Sequence, residues 1–414
     1  MDKLKFFGKR DSAAVYPLRD FLRRSVIDFE WIEVTPDNRI AESGMPSPLR
    51  NGDDSGIQFP DGDIVLSPTV EQVARHLGWI KKPDLTEYDL SIYGAGPAGL
   101  SAAVYAASEG LKTILVEREA IGGQAGTSSL IENYMGFPKG ISGAELAERA
   151  RQQALKFGVE ILLLGEGIKG TFYNNRIHVD LANGDKMIAK ANICATGVEY
   201  AKLNIPNEKL FFNAGIYYGA GAGEACFCKG RDVFIVGGGN SAGQAASYFS
   251  GFAKTVYMVV RKSNLAETLS DYLVKRITNI DNIVILYNSE VKELEGDSAL
   301  QRIRIFNSDT GTDTWYETGK LFICIGGKPN THWTEDTQII CDKNGYIITG
   351  SDLIGHNDFK ECWNRDRLPY HLETSIPGSF AAGDVRFNSV KRVASAVGEG
   401  AMAVTMVHKY LAQL

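Results

Sequence analysis

Tyr88-Asp89-Leu90-Ser91-Ile92-Tyr93-Gly94-Ala95-Gly96-Pro97-Ala98-Gly99 decides the fold. Its first half is a strand-like run with Leu90 and Ile92 as apolar members. Gly94, Gly96 and Gly99 then fall in GxGxxG spacing. Pro97 and Ala98 open a helix-like run that stops at Gly110, and a second strand-like run, LKTILVE, ends in Glu117. An acid roughly 20 residues beyond the glycines is what a nucleotide ribose requires. The first glycine permits a tight turn, the second lets the backbone approach a pyrophosphate, and the third lets helix and strand pack closely. The helix start supplies oriented N–H groups and partial positive charge for phosphate. A GxGxxG alone is often only a Gly-rich turn. The complete strand–turn–helix–strand unit is what predicts a dinucleotide site.

The chain has 414 residues, enough for several domains, and its 44% hydrophobic and 23% charged residues are those of an ordinary globular protein. The formal net charge is −6 and no long basic run occurs, which argues against nucleic acid or an anionic membrane as partner. No apolar run approaches a membrane span and MDKLKFFGKRD has no apolar signal core, so a cytoplasmic protein is expected. The six cysteines are Cys194, Cys226, Cys228, Cys324, Cys341 and Cys362. No CxxC exists, zinc-type pairs are absent and the histidines are scattered, so no metal site is expected. Cys194 and Cys324 lie in apolar runs and read as core residues.

Residues 1–85 read as a small α/β unit. KLKFFGK and DFEWIEV are strands flanking the helical AAVYPLRDFLRRS, and QFPDGDIVL holds a Pro-Asp-Gly turn between two arms. SPTVEQVARHLGW gives a closing helix with Ser67 as cap and Pro68 at its first position. This order resembles the thioredoxin/glutaredoxin fold. The resemblance implies a CxxC between first strand and first helix, but Ser12-Ala13-Ala14-Val15 stands there. The proline that would face the motif is also absent, with Asp54-Ser55-Gly56 in its place. Such a domain has no thiol for disulfide chemistry and reads as a docking or packing module. Lys81-Lys82-Pro83 is a linker.

Beyond the first nucleotide unit, Gly122-Gly123-Gln124 and Ile131-Glu132-Asn133-Tyr134 sit on a loop with no evident core role, and a helix runs from Ser142 to Gly158. Residues 232–262 form a second nucleotide unit, with Gly237 and Gly239, then Asn240, Ser241 and Ala242 opening its helix. Its next strand ends in Arg261-Lys262 instead of an acid. Cations suit the 2′-phosphate of NADP, so NADPH is preferred over NADH. SNLAETLSDYLVKRI reads as a helix, NIVILY, VKELEGD, LQRIRIFNS and DTWYETGKLFICIGG as strands, and VKRVASAVGEGAMAVTMVHKYL as a long terminal helix.

GAGPAG, GGQAGTSSLIENYMGFP, the strand ending Cys194-Ala195-Thr196-Gly197, VGGGNSAGQAA and FAAGDVR occur in the order found in thioredoxin reductase-like flavoproteins. From Tyr88 to Leu414 the chain resembles that family, in a branch with an N-terminal thioredoxin-like domain. The resemblance implies an α/β chain with two Rossmann-like domains, the second inserted in the first. Its divisions are 1–85 (thioredoxin-like), 86–200 and 329–414 (FAD) and 201–328 (NAD(P)H). It implies FAD contacts from Gly94, Gly96, Pro97, Ala98, Gly99, Glu117, Gly123, Gln124, Asn133, Ala195, Thr196, Gly197, Gly383 and Asp384. Gly383-Asp384 is the pair placed at the ribityl chain. Where the family usually reads Arg-Gln-Ala, this chain has Lys391-Arg392-Val393. By resemblance Arg392 lies at the flavin's N1/C2-carbonyl edge, where its cation would favour the reduced, anionic ring. A homodimer is implied as well.

The family relays electrons to a CxxC just before the second glycine motif. Here Tyr217-Tyr218-Gly219-Ala220-Gly221-Ala222 occupies that place, and Cys226 and Cys228 follow as CxC. They are either a displaced redox pair or ordinary thiols. The expectation is a FAD-dependent NAD(P)H oxidoreductase with an unidentified acceptor, a small redox protein among the options. The alternatives are a thioredoxin-disulfide reductase acting through Cys226 and Cys228, a flavin-based sensor, and a ferredoxin-linked flavoprotein.

Overall fold

The computed structural model describes residues 3–35, 49, 55–219 and 221–414. Asp54 and Ala220, both named above, lie outside the described residues. The chain divides into two compact units. One comprises Met1–Val73, Thr127–Leu130 and Tyr200–Gly326; the other comprises Ala74–Gly126, Ile131–Glu199 and Gly327–Leu414.

The N-terminal part of the first unit begins with β1 (Leu4–Gly8), α1 (Tyr16–Arg24) and β2 (Phe29–Glu33), followed by β3 (Ser55–Gln58) and β4 (Ile64–Leu66). The sheet order is β2-β1-β3-β4, with β1 parallel to β2 and antiparallel to β3. α1 buries Leu18, Phe21 and Leu22 and starts with Pro17 in its first turn, where no backbone N–H is needed. The β3–β4 arms close over Gly62 at φ 97, as the Pro-Asp-Gly turn predicts. α2 (Val70–His76) departs from expectation at its start. Ser67 sits at φ 42 and caps nothing. Instead Thr69 Oγ1 accepts from the Gln72 amide at 3.2 Å while Gln72 Oε1 accepts from the Thr69 amide at 2.9 Å. This reciprocal capping box satisfies two orphan donors, which Ser67 could not reach, and it puts Pro68 outside the helix.

The second unit is built on β5 (Glu87–Tyr93), α3 (Pro97–Ser108), β6 (Thr113–Glu117), α4 (Gly143–Lys156), β7 (Glu160–Leu163), β8 (Gly167–Tyr173), β9 (Arg176–Leu181) and β10 (Lys186–Cys194). Its strands run in the order β7-β6-β5-β10-β9-β8. The β7-β6-β5-β10 portion is parallel, and Leu90, Ile92, Ile114, Leu115, Val116, Ala191 and Ile193 form its buried apolar centre. Ser142 caps α4, accepting from the Glu145 amide at 3.2 Å, and Gly158 ends it at φ 87.

The rest of the first unit holds β11 (Ile216–Tyr218), β12 (Asp232–Val236), α5 (Asn240–Phe249), β13 (Thr255–Val259), α6 (Asp271–Thr278) and β14 (Ile283–Leu286). The antiparallel β15 (Ser289–Gly296), β16 (Leu300–Asn307) and β17 (Thr312–Glu317) precede β18 (Leu321–Ile323). The parallel sheet β11-β18-β12-β13-β14 is the second nucleotide fold. α6 is shorter than expected, because residues 263–270 turn instead of coiling. Asn264 Oδ1 accepts from the Ala266 amide at 2.7 Å and the Ser270 amide is drawn to Asn240 Oδ1 at 2.8 Å, so side chains take the bonds a helix would need.

The second unit closes with β19 (Ser379–Ala381), parallel to β10, and α7 (Val393–Leu411). α7 lies on α3 with almost no space between the backbones. A Cβ on Gly400 would fall 2.1 Å from the Ala98 carbonyl oxygen. Ser101 Oγ donates to the Val397 carbonyl at 2.8 Å alongside it. Among the described residues no helix is long and apolar enough to cross a membrane. Gly400→Ala is expected to lever α7 off α3 and cost about 1–3 kcal/mol. Thermal unfolding of the flavin-free protein reads this directly, and a midpoint equal to wild type would show that the two helices separate freely.

Candidate active site

The glycine turn of the second unit is shaped by what it excludes. Gly94 stands at φ 99, and a Cβ there would meet the Ala195 carbonyl oxygen at 2.4 Å. A Cβ on Gly99 would fall 1.8 Å from the Gly94 carbonyl oxygen. Between them Gly96 caps α3 in an extended conformation, and a Cβ there would meet nothing within 4 Å. The turn is therefore packed at its flanks and open at its centre, above the N–H groups of the helix start. Glu117, at the end of β6, accepts the Ala95 amide at 2.7 Å and the Glu119 amide at 2.8 Å. Its carboxylate is thereby fixed at the lip of the turn.

Two further segments close on the same helix start. In the 3₁₀ turn Gly123–Thr127, a Cβ added at Gly123 would fall 3.1 Å from Gly96 Cα. Gln124 Nε2 ties that turn to the Val198 carbonyl at 2.6 Å. Gly383 stands at φ 79, where a Cβ would lie 2.9 Å from Ala98 Cβ. Its amide donates to Glu399 Oε2 at 2.7 Å, and Glu399 is paired with Arg386 at 2.6 Å. Asp384 is half-buried, and burial pushes its carboxyl up to about 6; Lys391 pulls it down and Glu399 pushes it up. Ala195 and Thr196 join from β10, with Thr196 Oγ1 donating to the Asn330 carbonyl at 2.9 Å and the Asn330 amide donating to the Gly197 carbonyl at 3.1 Å.

The C-terminal trio is arranged differently from its members' shared spacing. Arg392 is exposed and its backbone caps α7. Glu399, a conceivable partner for it, is held by Arg386 instead. Lys391 Nζ bonds the Tyr346 hydroxyl at 2.5 Å, and Val393 is half-buried in the first turn. Asn133 lies exposed in a loop pinned at its base by the Ile131–Ile141 bridge, and no described contact brings it to the glycine turn. Arg386 and Asn330 are not legible in the sequence, and Glu399, readable there only as an acid for Arg392, holds the Gly383 amide and Arg386 instead. Their roles depend on contacts across the fold, and no local pattern marks them.

The second glycine turn, in the first unit, repeats the first. A Cβ on Gly237 would meet the Cys324 carbonyl oxygen at 2.4 Å, while one on Gly239 would meet nothing within 4 Å. Ala242 fills the third position, fully buried. Asn240 fixes the loop before α6, and Ser241 is exposed at the helix start. Lys262 is paired with Glu267 at 2.6 Å, whereas Arg261 is exposed and, among the described residues, has no partner.

Cys226 and Cys228 lie on the 3₁₀ helix Ala222–Cys228. Residues two apart on a helix of three residues per turn point to different sides. Accordingly Cys226 is exposed, with its Sγ directed to the Gly223 carbonyl at 3.9 Å, while Cys228 is buried and donates to the Glu224 carbonyl at 3.3 Å. Burial pushes the Cys228 thiol up to about 12, with Lys320 opposing and Glu224 assisting.

A profile described as pyridine nucleotide-disulphide oxidoreductase matches residues 88–400. The chain belongs to this family. It is 34% identical over 330 residues to thioredoxin reductase of Bacillus subtilis, covering 79% of this chain and 96% of that one. Thioredoxin reductase of Lactococcus lactis superposes with a TM-score of 0.69 at 31% identity, over 79% of this chain and 100% of that one. That of T. acidophilum gives 0.70 at 29%, over 78% and 99%. The expectation of a thioredoxin reductase-like, FAD-dependent pyridine nucleotide oxidoreductase with two Rossmann-like folds stands.

Asp384 gives this site a pH signature. Its carboxyl titrates near 3.8 when exposed and near 6 in the flavin-free fold. The ionised form is thus disfavoured by folding, a cost complete above pH 6 and absent below about pH 4. Flavin-free Asp384→Asn is expected to exceed wild-type stability by about 1–3 kcal/mol at pH 7.5, with the gap closing at pH 4. Denaturant unfolding at the two pH values measures it, and a gap independent of pH would show that the carboxylate is solvated.

Proposed function

We propose that this oxidoreductase takes electrons from NADPH through bound FAD and delivers them to an acceptor without using a cysteine pair of its own. One observation carries the reading. Each glycine turn is blocked by a strand carbonyl at its first position and clear at its middle one, as two dinucleotides require. FAD would be held by the N–H groups at Gly96, Pro97 being without one, with Ala98 and Gly99 behind them. Glu117 would take the ribose, and Gly123, Gln124, Ala195, Thr196 and Gly197 would line the ring. Asp384 would accept from a ribityl hydroxyl, which would replace the water its burial removes. Arg392, with Lys391 and Val393, would lie at the ring's edge, and Asn133 would reach it from its loop. When bound, the flavin supplies two-electron acceptance from nicotinamide and onward transfer in pairs or singly. The work of the chain is to orient that group and exclude water from it.

NADPH is favoured over NADH by Arg261. Lys262 is already neutralised by Glu267, so Arg261 is the cation available to a 2′-phosphate. Cytoplasmic residence and a homodimer follow from the family likeness. Arg261→Ala is expected to raise the KM for NADPH by about 10- to 100-fold and to leave that for NADH unchanged. Anaerobic reduction of the purified protein by each nucleotide is the measurement. Equal loss with both would make Arg261 a bystander, and absence of flavin reduction by either would overturn the reading.

The acceptor side rests on the thiols. Cys228 is buried and protonated, and Cys226 faces away from it. A disulfide needs both sulfurs aimed at one another, and a reactive thiol needs its thiolate. Cys226→Ser/Cys228→Ser should leave flavin reduction by NADPH and turnover with artificial acceptors unchanged. Loss of a disulfide-reducing activity in that variant, with flavin content intact, would restore the thioredoxin-disulfide reductase alternative.

A further inference from the structure

The first unit contains buried charges that neither nucleotide turn uses. Arg19 on α1 is 1% exposed, and Glu224 and Lys320 are fully buried. Arg19 pairs with one oxygen of Glu224. Lys320 Nζ lies 2.8 Å from the other, 2.9 Å from Asp11 Oδ1 and 3.1 Å from the Tyr217 hydroxyl. Arg231 lies 3.7 Å from the second oxygen of Asp11, so three cations meet two carboxylates and neither acid is left without a partner. Burial opposes the charge on Lys320, but Tyr217, Glu224 and Asp11 outweigh it and hold the ammonium above its ordinary range. Buried ions are costly when unpaired and weakly stabilising when paired, so their chief effect is to specify one arrangement. The arrangement specified joins the N-terminal α/β segment to the second nucleotide fold.

The place of the join matters. Asp11 immediately precedes Ser12–Val15, which stand where a thioredoxin-like domain would carry its dithiol. Tyr16, the next residue, packs its ring on Tyr217 with centroids 4.9 Å apart. Tyr217 opens the stretch that stands where a thioredoxin reductase would carry its own dithiol. Further along α1, Arg23 reaches Cys226 Sγ at 3.6 Å, and a Cβ on Gly223 would strike Arg23 Cδ at 3.0 Å. Trp31 meets Phe227 edge-on at 5.7 Å, and the Arg19 guanidinium lies 4.4 Å over the same ring. The two faces from which both cysteine pairs are missing are pressed together.

We infer that the N-terminal domain is the permanent occupant of this face. It sits on the second nucleotide fold as a redox partner would, locked by Asp11, Arg19, Glu224 and Lys320, and it occupies the face of Ala222–Cys228 that a free disulfide-bearing protein would need, leaving Cys226 exposed. The domain is then a fixed cap and not a mobile arm.

Hydrogen exchange of the full-length, flavin-loaded protein, read by mass spectrometry, tests this. Peptides from α1 and from 222–228 should be protected together. Glu224→Gln leaves Arg19 and Lys320 without their shared anion, and both peptides should then exchange about a hundredfold faster. The Gly94–Gly99 peptide and the flavin absorbance should not change. Should Glu224→Gln fail to fold, Arg19→Met breaks the same join from the other side with the same expected result. Oxidised thioredoxin, added in excess as a probe, should leave the 222–228 peptide at its wild-type rate. The inference is overturned if the folded variant speeds one peptide alone or neither, or if the probe alters the exchange of 222–228. The readout is independent of turnover, so a failed nicotinamide assignment would not affect it.

Discussion

The close approach of bare backbone around the first turn of α3 is the constraint on which the second unit depends. Gly99 lets that turn sit against Gly94, Gly383 lets its own loop reach Ala98, and Gly400 lets α7 lie on the Ala98 carbonyl. In every case a methyl group would fall between 1.8 and 2.9 Å from a neighbour. Close packing of this kind has no soft solution, because the obstructing atoms belong to backbone or to the shortest of side chains. The consequence is that residues nearly 300 positions apart converge on one helix start without long side chains to bridge them. Gly96 remains the single open position in the turn, and it lies where phosphate would meet the helix dipole.

That convergence explains what could be read from the residues in advance and what could not. Gly94, Gly96, Gly99 and Glu117 announce themselves, since their spacing is local and each residue type has one physical reason to be there. The same is true of Gly237, Gly239 and the cation after β13. Ser142 and Gly158 mark both ends of α4 correctly for the same reason. Ser67 misleads because two caps compete within three residues, and Thr69 wins by having Gln72 at the reciprocal position. The expected helix over 263–277 fails in its first half because Asn264 and Asn240 capture amides that a helix would have used internally. Glu399 is illegible for a further reason. Its value lies in holding the Gly383 amide and Arg386 together, and nothing within a turn of it predicts either contact.

The buried charges of the first unit are the opposite case to the glycine turns. Asp11, Arg19, Glu224 and Lys320 are ordinary surface residues by composition, and a pattern of charge along the chain would place all four in solvent. Arg19, Glu224 and Lys320 are buried, and Asp11 partly so, because they meet one another across separations of 205 and 309 residues. Apolar residues of similar volume would bury as well, but they would tolerate sliding between the two surfaces. Ion pairs with hydrogen-bond geometry do not, since a small displacement leaves charge unpaired in a medium of low dielectric. A cluster of this type therefore fits an interface whose register has to be unique.

Taken with the geometry of the cysteines, this limits the routes by which electrons can leave. A thiol relay requires a sulfur pair within bonding reach, a thiolate to begin exchange, and an open surface for the partner. The first is opposed by the pitch of a 3₁₀ helix, which turns Cys226 and Cys228 apart. The second is opposed at Cys228 by burial. The third is opposed by α1, whose Tyr16, Arg19 and Arg23 occupy the surface around Ala222–Cys228. Each obstacle arises from a different residue set, so no single reversion would restore the relay. On the proposed reading, a chain that keeps both glycine turns while its two neighbouring cysteines are turned apart passes electrons to its acceptor from the flavin itself.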